Sequence, residues 1–196
     1  AIVTDAGMPC VSDPGELLSM QCEEKGIPTI VIPGPTAFAS ALAISGLPTG
    51  RFTFEGFLSV NKKSRKEHLE SLINEERTML FYEAPHKLSN TLKDFANYFP
   101  NRKLSIVREI TKIHEEVIRT TTDKAYEDYG ETGLKGEIVL VLSGKPHKEE
   151  EETYTLSDAV EMAKKLIENG EKATTASKEI ASLTGFKKNE IYKELL

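Results

Sequence analysis

Residues 78–99 read Thr78-Met79-Leu80-Phe81-Tyr82-Glu83-Ala84-Pro85-His86-Lys87-Leu88-Ser89-Asn90-Thr91-Leu92-Lys93-Asp94-Phe95-Ala96-Asn97-Tyr98-Phe99. The apolar and aromatic run predicts a strand over Thr78 to Glu83. Pro85 then opens a helix to Phe99, because Leu88, Leu92, Phe95, Ala96 and Phe99 recur at helical spacing. A buried strand followed by an amphipathic helix is an α/β unit, and the pattern continues on both sides. Upstream, Phe52 to Leu58 reads as a strand and Ser64 to Glu75 as a helix. Downstream, Leu104 to Glu109 and the alternating, β-branched His114 to Thr120 read as strands. Ala125 to Tyr129 reads as a short helix and Glu137 to Leu142 as a strand buried on both faces. Strands alternating with helices predict an α/β domain with a mixed sheet.

Residues 1–50 read as a second, shorter α/β segment. Ala1 to Thr4 looks like a strand end. A helix runs from Ser12-Asp13-Pro14-Gly15-Glu16 to Lys25. The apolar run Ile27 to Ile32 suits a buried parallel strand, and Thr36 caps a small-residue helix from Ala37 to Ser45. Cys22, among helix formers, reads as a small core residue. The chain does not start with Met, and Ala1-Ile2-Val3 reads as the inside of a strand, so the expectation is a fragment whose beginning is missing. Gly46-Leu47-Pro48-Thr49-Gly50 marks a boundary, and residues 147–154 form an acidic linker. Beyond it, residues 155–196 read as helices, with Gly185 turning one into another that starts Lys187-Lys188-Asn189, a helix-turn-helix pattern. The predicted organisation is therefore residues 1–50, 51–146, 147–154 and 155–196.

With 196 residues, 39% of them hydrophobic and 29% charged, the chain has a globular balance and enough length for a real core. It has no apolar run near the ~20 residues of a spanning helix. Two cysteines without a CxxC pair argue against a disulfide framework or a zinc site, and suit a cytoplasmic setting. A net charge of −6 excludes coating of nucleic acid by bulk electrostatics, so any such contact must be local.

Three loops follow strands, where α/β folds bind ligands. Thr4-Asp5-Ala6-Gly7-Met8-Pro9 offers a carboxylate for hydroxyl or amino groups and a glycine for close approach. Pro33-Gly34-Pro35-Thr36-Ala37 puts small residues and free amides at a helix start. Neither is a GxGxxG or Walker A motif. Arg108-Glu109-Ile110-Thr111-Lys112 clusters polar residues at a strand end, either as a site or as a surface ion-pair group. Phe81-Tyr82-Glu83-Ala84-Pro85-His86 has the same position after its strand. Asn61-Lys62-Lys63-Ser64-Arg65-Lys66 carries four bases in six residues, a phosphate contact or a solvated helix start.

Taken in order, these segments resemble one family. Val3-Thr4-Asp5-Ala6-Gly7-Met8-Pro9, Pro33-Gly34-Pro35-Thr36-Ala37, Phe54-Glu55-Gly56-Phe57-Leu58, Phe81-Tyr82-Glu83-Ala84-Pro85-His86, Arg108-Glu109-Ile110-Thr111-Lys112, Gly136-Glu137-Ile138-Val139-Leu140-Val141 and Lys187-Lys188-Asn189-Glu190-Ile191-Tyr192 span essentially the whole chain. The chain is similar to the bacterial ribosomal RNA small subunit methyltransferases, within the tetrapyrrole methylase superfamily. The resemblance implies two α/β domains with the cofactor, S-adenosylmethionine, folded in the cleft between them. The first domain would lack its upstream half, and the fragment by itself would be inactive. A helix-turn-helix-like tail completes the expected fold.

It further implies that Asp5, Gly7, Met8, Pro9, Thr36 and Ala37 bind the cofactor from the first domain, and Phe81, Tyr82, Ile138 and Val139 from the second. Met8 stands where the family carries Thr. The implied acceptor is a cytidine ribose 2′-hydroxyl of 16S rRNA in the small ribosomal subunit, with no metal or membrane and with a homodimer as the expected state. A ribose hydroxyl is a poor nucleophile at neutral pH, so a base or polarising cation is needed, and Glu109 and Lys112 are the candidates. Lys62, Lys63, Arg65 and Lys66, with Lys187 and Lys188, are the candidate RNA contacts. Two other readings stay open: a tetrapyrrole methyltransferase, and a DNA-binding regulator acting through the tail.

Overall fold

A computed structural model describes residues 1–5, 7–146 and 154–195, which form two compact units, Ala1–Pro146 and His147–Leu196. Apart from Tyr154, the acidic linker of residues 147–154 lies outside the described residues. No helix among the described residues is long and apolar enough to cross a membrane.

The first unit is built on five strands, β1 (Phe52–Phe57), β2 (Thr78–Glu83), β3 (Lys103–Arg108), β4 (Glu116–Thr121) and β5 (Ile138–Leu142), in the order β1-β2-β5-β3-β4. β1 and β2 are parallel, which requires a crossover, and α3 (Lys62–Ser71) supplies it. β5 enters antiparallel to both β2 and β3 and is buried along its whole length, as its continuous apolar run requires. Alternation then sorts the side chains. Met79, Phe81, Ile138, Leu140, Leu142, Leu104 and Ile106 face one way. There they meet Leu88, Leu92 and Phe95 of α4 (Leu88–Tyr98), Phe99, and Ala125 of α5 (Thr122–Tyr129). Phe81, Phe95 and Phe99 are fully buried, with ring centroids 5.0 and 5.6 Å apart along the chain of contacts.

Leu80, Tyr82, Val107, Val139 and Val141 face the other way, toward Ala41 and Leu42 of α2 (Ala37–Ser45). The C-terminal end of α2 is clamped to the sheet. Arg119 of β4 donates from Nε to the Ser45 carbonyl at 3.1 Å and from Nη2 to the Ile44 carbonyl at 2.6 Å. Ser105 Oγ donates to the same Ser45 carbonyl at 2.7 Å, and Thr78 Oγ1 to the Pro48 carbonyl at 2.7 Å. A guanidinium at a helix C-terminus satisfies orphan carbonyls and complements the helix dipole.

The predicted helices and strands of residues 52–142 form with shifts at their ends. α3 starts at Lys62 rather than Ser64, because the Asn61 side chain accepts from the Lys63 and Ser64 amides. The helix after Pro85 opens with a tight turn over Pro85–Lys87, and the fourth strand begins at Glu116 rather than His114.

Two expected strands do not form. Ile27 to Ile32 and Ala1 to Thr4 have no strand neighbour among the described residues, and Ile30, Val31 and Ile32 stand 93, 69 and 84% exposed. A strand exists only through hydrogen bonds to a neighbour, so an apolar pattern alone does not produce one. α1 (Glu16–Glu24) buries no side chain, and Cys22 is half-buried rather than part of the core.

The second unit packs α6 (Leu156–Glu168), α7 (Ala173–Thr184) and α8 (Lys188–Leu195) around Ala159, Ala163, Ala176, Ile180 and Ile191. Thr155 and Asp158 form a reciprocal capping box at the start of α6, and Gly185 ends α7 in the left-handed conformation, as the helix-turn-helix pattern predicts.

Arg119→Ala should destabilise the first unit by about 1–2 kcal/mol, the cost of two charge-assisted bonds at a helix end, read as a shift in denaturation midpoint. An unchanged midpoint would mean that α2 is held without the clamp. A second test uses pH. Arg77 bonds the Glu75 carboxylate at 2.7 and 2.8 Å and holds its pKa down, from an ordinary 4.5 to about 2. The stabilisation is complete above 4.5 and is lost as pH falls toward 2. Glu75→Gln should therefore flatten the acid limb of the stability curve in that window and lower stability in the neutral range by an amount that does not vary with pH.

Candidate functional site

Phe57, Glu83 and Arg108 end β1, β2 and β3 at one edge of the sheet, and Ile138 starts β5 there. The N-terminus of α2 comes to the same edge. The Phe38 amide, an orphan donor in the first turn, donates to the Tyr82 hydroxyl at 3.2 Å. Thr36 holds the N-cap position but makes no side-chain cap bond, so Tyr82 does the capping instead. Around this bond Phe38 stacks on Phe54 at 4.6 Å and Phe54 meets Tyr82 edge-on at 5.0 Å. Burial pushes the Tyr82 phenol up, and the negative charge of Asp13 adds to it, so the hydroxyl keeps its proton across the neutral range.

The two predicted glycine-proline loops come together beside this edge. The Gly34 amide donates to Met8 Sδ at 3.1 Å, and the Pro35 carbonyl lies 3.6 Å from where a Cβ on Gly7 would stand. Gly7 sits at φ 79°, a conformation that any side chain would strain. Thr4 Oγ1 donates to the Gly7 carbonyl at 3.2 Å and closes the turn. Asp5, Gly7 and Ala37 are exposed, while Met8, Pro9 and Thr36 are half-buried.

Of the candidates on the sheet, Tyr82 and Val139 are paired across β2 and β5 and face α2. Phe81 and Ile138 face the opposite core, so they present only backbone to the α2 side.

Glu109 and Lys112 form a separate cluster where β3 ends. Two strand spacings, about 10 Å, separate β3 from β2. Glu109 takes a left-handed turn at φ 53° and clasps Glu137 both ways. Its amide donates to the Glu137 carbonyl at 2.9 Å, and its Oε1 accepts from the Glu137 amide at 2.8 Å. Lys112 Nζ bridges Glu109 and Glu137 at 3.1 Å each. The Glu137 amide, then Lys112, holds the Glu109 carboxyl below the usual range, and Glu137, then Glu109, raises Lys112. Both therefore stay charged at neutral pH, and Glu109 is a weak proton acceptor.

The basic run is divided. Arg65 turns inward, bonding Asp94 at 2.6 Å and Thr91 at 2.8 Å, while Thr91 bonds the buried Glu83. Lys63 and Lys66 make one-turn pairs with Glu67 and Glu70 on the exposed face of α3, and Lys62 is exposed at its start. Lys187 and Lys188 lie exposed at the start of α8 in the second unit.

The sequence reading missed the supporting residues: Phe38, Phe54, Asp13 and Glu137. A signal was present in Phe52-Thr53-Phe54-Glu55-Gly56-Phe57, where aromatic alternation slips by one residue at a glycine.

The fold and the convergent loops define an α/β protein with a candidate ligand site at the carboxyl ends of its strands. The family model of tetrapyrrole (corrin/porphyrin) methylases matches residues 1–126. A Synechocystis protein named ribosomal RNA small subunit methyltransferase I is 40% identical over 194 residues, covering 98% of this chain and 69% of that protein. Its namesake in Halalkalibacterium halodurans is 41% identical, with 98% and 67% covered. Among solved structures, the methyltransferase CobJ superposes with a TM-score of 0.53 at 20% identity, over 70% of this chain and 62% of that one. A cobalt precorrin-4 methyltransferase, CbiF, gives 0.50 at 16% identity, over 70% and 61%. At those identities the structures speak for the fold alone. The chain belongs to the tetrapyrrole methylase family, and within it to the ribosomal RNA small subunit methyltransferase I proteins. It spans about two thirds of the length of these relatives.

Tyr82→Phe removes the acceptor of the Phe38 amide and should cost about 1 kcal/mol of stability, measured by chemical denaturation. A variant as stable as the parent would show that the amide has another acceptor.

Proposed function

We propose that the protein carrying this chain transfers a methyl group from S-adenosylmethionine to 16S rRNA of the small ribosomal subunit, at a cytidine ribose 2′-hydroxyl. The observation that carries the reading is the meeting of the Met8 and Gly34 loops beside the Tyr82-capped start of α2, in a chain about 40% identical to proteins named ribosomal RNA small subunit methyltransferase I. The residues suit the cofactor. Gly7 and Gly34 leave backbone accessible, Asp5 offers an exposed carboxylate for hydroxyl or amino groups, and the Thr36 hydroxyl is not used as a cap. Met8, Pro9 and Ala37 line the same loops, and Tyr82 and Val139 close the site from the sheet, with Phe81 and Ile138 contributing backbone.

The cofactor supplies a methyl group on a positively charged sulfur, already activated for transfer. The protein's own work is to position the acceptor and exclude water. The aromatic group of Phe38, Phe54 and Tyr82 gives the site an apolar wall. Lys112, held cationic by Glu137 and Glu109, is placed to orient and polarise the acceptor ribose, and Glu109 positions Lys112. Lys62, Lys63 and Lys66 contact phosphates, as do Lys187 and Lys188 of the tail. Arg65 braces α3 against α4 instead. The setting is cytoplasmic, where ribosomes are assembled, and a homodimer is the expected state.

The test incubates the full-length gene product with labelled S-adenosylmethionine and small subunits from a strain lacking the gene. Label on a ribose of 16S rRNA is the expected result. Tight cofactor binding without transfer would point to another acceptor, a tetrapyrrole first. Lys112→Ala should lower kcat about 10- to 100-fold with cofactor affinity kept, and Glu109→Gln should lower it less. Full activity in both variants removes the cluster from the reaction. Neutralising Lys62, Lys63 and Lys66 together should reduce the salt slope of subunit binding by about two. An unchanged slope would exclude this run as a phosphate contact.

A further inference from the structure

β1 carries an irregularity with a directional consequence. Phe54 pairs with Leu80, but Gly56 pairs with the next residue, Phe81, and Phe57 with Tyr82. Strict alternation from Phe54 would send Phe57 to the α4 side of the sheet. The bulge, made possible by Gly56 at φ 65°, instead turns Phe57 to the side of Tyr82 and α2. There the Phe57 ring lies 5.5 Å from the Tyr82 ring, tilted by 60°. β1 is the edge strand, no strand among the described residues covers the far side of the ring, and Phe57 is 53% exposed. An exposed aromatic residue alone is ordinary. Here a backbone defect gives up regular pairing to hold one at the site edge.

The chain that follows supplies the second observation. Leu58, buried at 4%, anchors the exit from β1. Asn61 then caps α3, whose first residues are Lys62 and Lys63, with Lys66 one turn on, all exposed. Five residues span at most about 18 Å, so the ring and the first lysines of α3 lie at the same carboxyl edge of the sheet, the ring turned toward Tyr82 and α3 packed through Leu69 on the α4 side. In a chain of net charge −6, an open ring and a run of lysines at one edge of the sheet are a local feature. Single-stranded nucleic acid is recognised by that combination, bases stacking on aromatic rings while cations follow the phosphates.

We infer that Phe57 is a base-stacking residue, receiving an unstacked nucleobase of the RNA at or beside the methylated nucleotide while Lys62, Lys63 and Lys66 hold its backbone. This rests on the RNA reading above and adds a specificity-determining residue to it.

The experiment compares Phe57→Ala, Phe57→Leu and Phe57→Trp in the full-length gene product. It measures methyl transfer to purified small subunits, affinity for S-adenosylhomocysteine, and Tm. Phe57→Ala should lower kcat/KM for subunits about 5- to 150-fold, chiefly through KM, with S-adenosylhomocysteine affinity and Tm unchanged. Phe57→Trp should restore it and Phe57→Leu should not. The 196-residue sequence contains no Trp, and the fluorescence that Phe57→Trp adds over the parent should be quenched as subunits bind. The inference is overturned if Phe57→Ala keeps parental kcat/KM, if cofactor affinity falls in parallel, if Leu rescues as well as Trp, or if no quenching accompanies binding. A parent protein that methylates no subunit RNA overturns the RNA reading itself, which the parental control reports separately.

Discussion

The hydrogen bond from the Phe38 amide to the Tyr82 hydroxyl is the constraint on which the site depends. It joins the start of α2 to the end of β2. Arg119 and Ser105 fix the other end of the same helix by its last carbonyls. A helix held at both ends cannot slide or rotate on the sheet, so the Pro33–Thr36 segment entering it is delivered to the carboxyl edge. The Met8 loop then follows through its contact with Gly34. The two candidate binding loops are thus located by satisfying polar groups at the termini of one small helix.

The same economy of orphan groups shapes the second cluster. The chain leaves β3 through a left-handed Glu109, and the ladder to β5 continues for one more step through the two-way clasp with Glu137. A carboxylate committed to an amide and an ammonium is a poor base but a firm anchor. That is why Lys112 rather than Glu109 is assigned to the acceptor, with Glu109 holding it.

The sheet unit was largely legible in sequence, because its signals were local and redundant. Helical spacing from Leu88 to Phe99 and the uninterrupted Ile138 to Leu142 run each fix an element and its buried face. Ile27 to Ile32 misled for a physical reason: an apolar run states a wish to be buried, and a strand also needs a neighbour that these residues do not supply. Within the candidate site, glycine and proline loops were readable because few other residues permit such turns. Inward-turned Arg65 was not, since a basic run looks the same whether its members face water or Asp94. The clasp of Glu109 on Glu137 joins residues far apart in sequence and had no local signal.

The most direct measurement is nucleoside mass spectrometry of 16S rRNA from cells with the gene, without it, and with it restored. Loss of one 2′-O-methylcytidine on deletion, with full return from the intact gene and a reduced return from a Lys112→Ala gene, is the expected result. An unchanged methylation profile on deletion would contradict both the assigned substrate and the role given to this edge of the sheet.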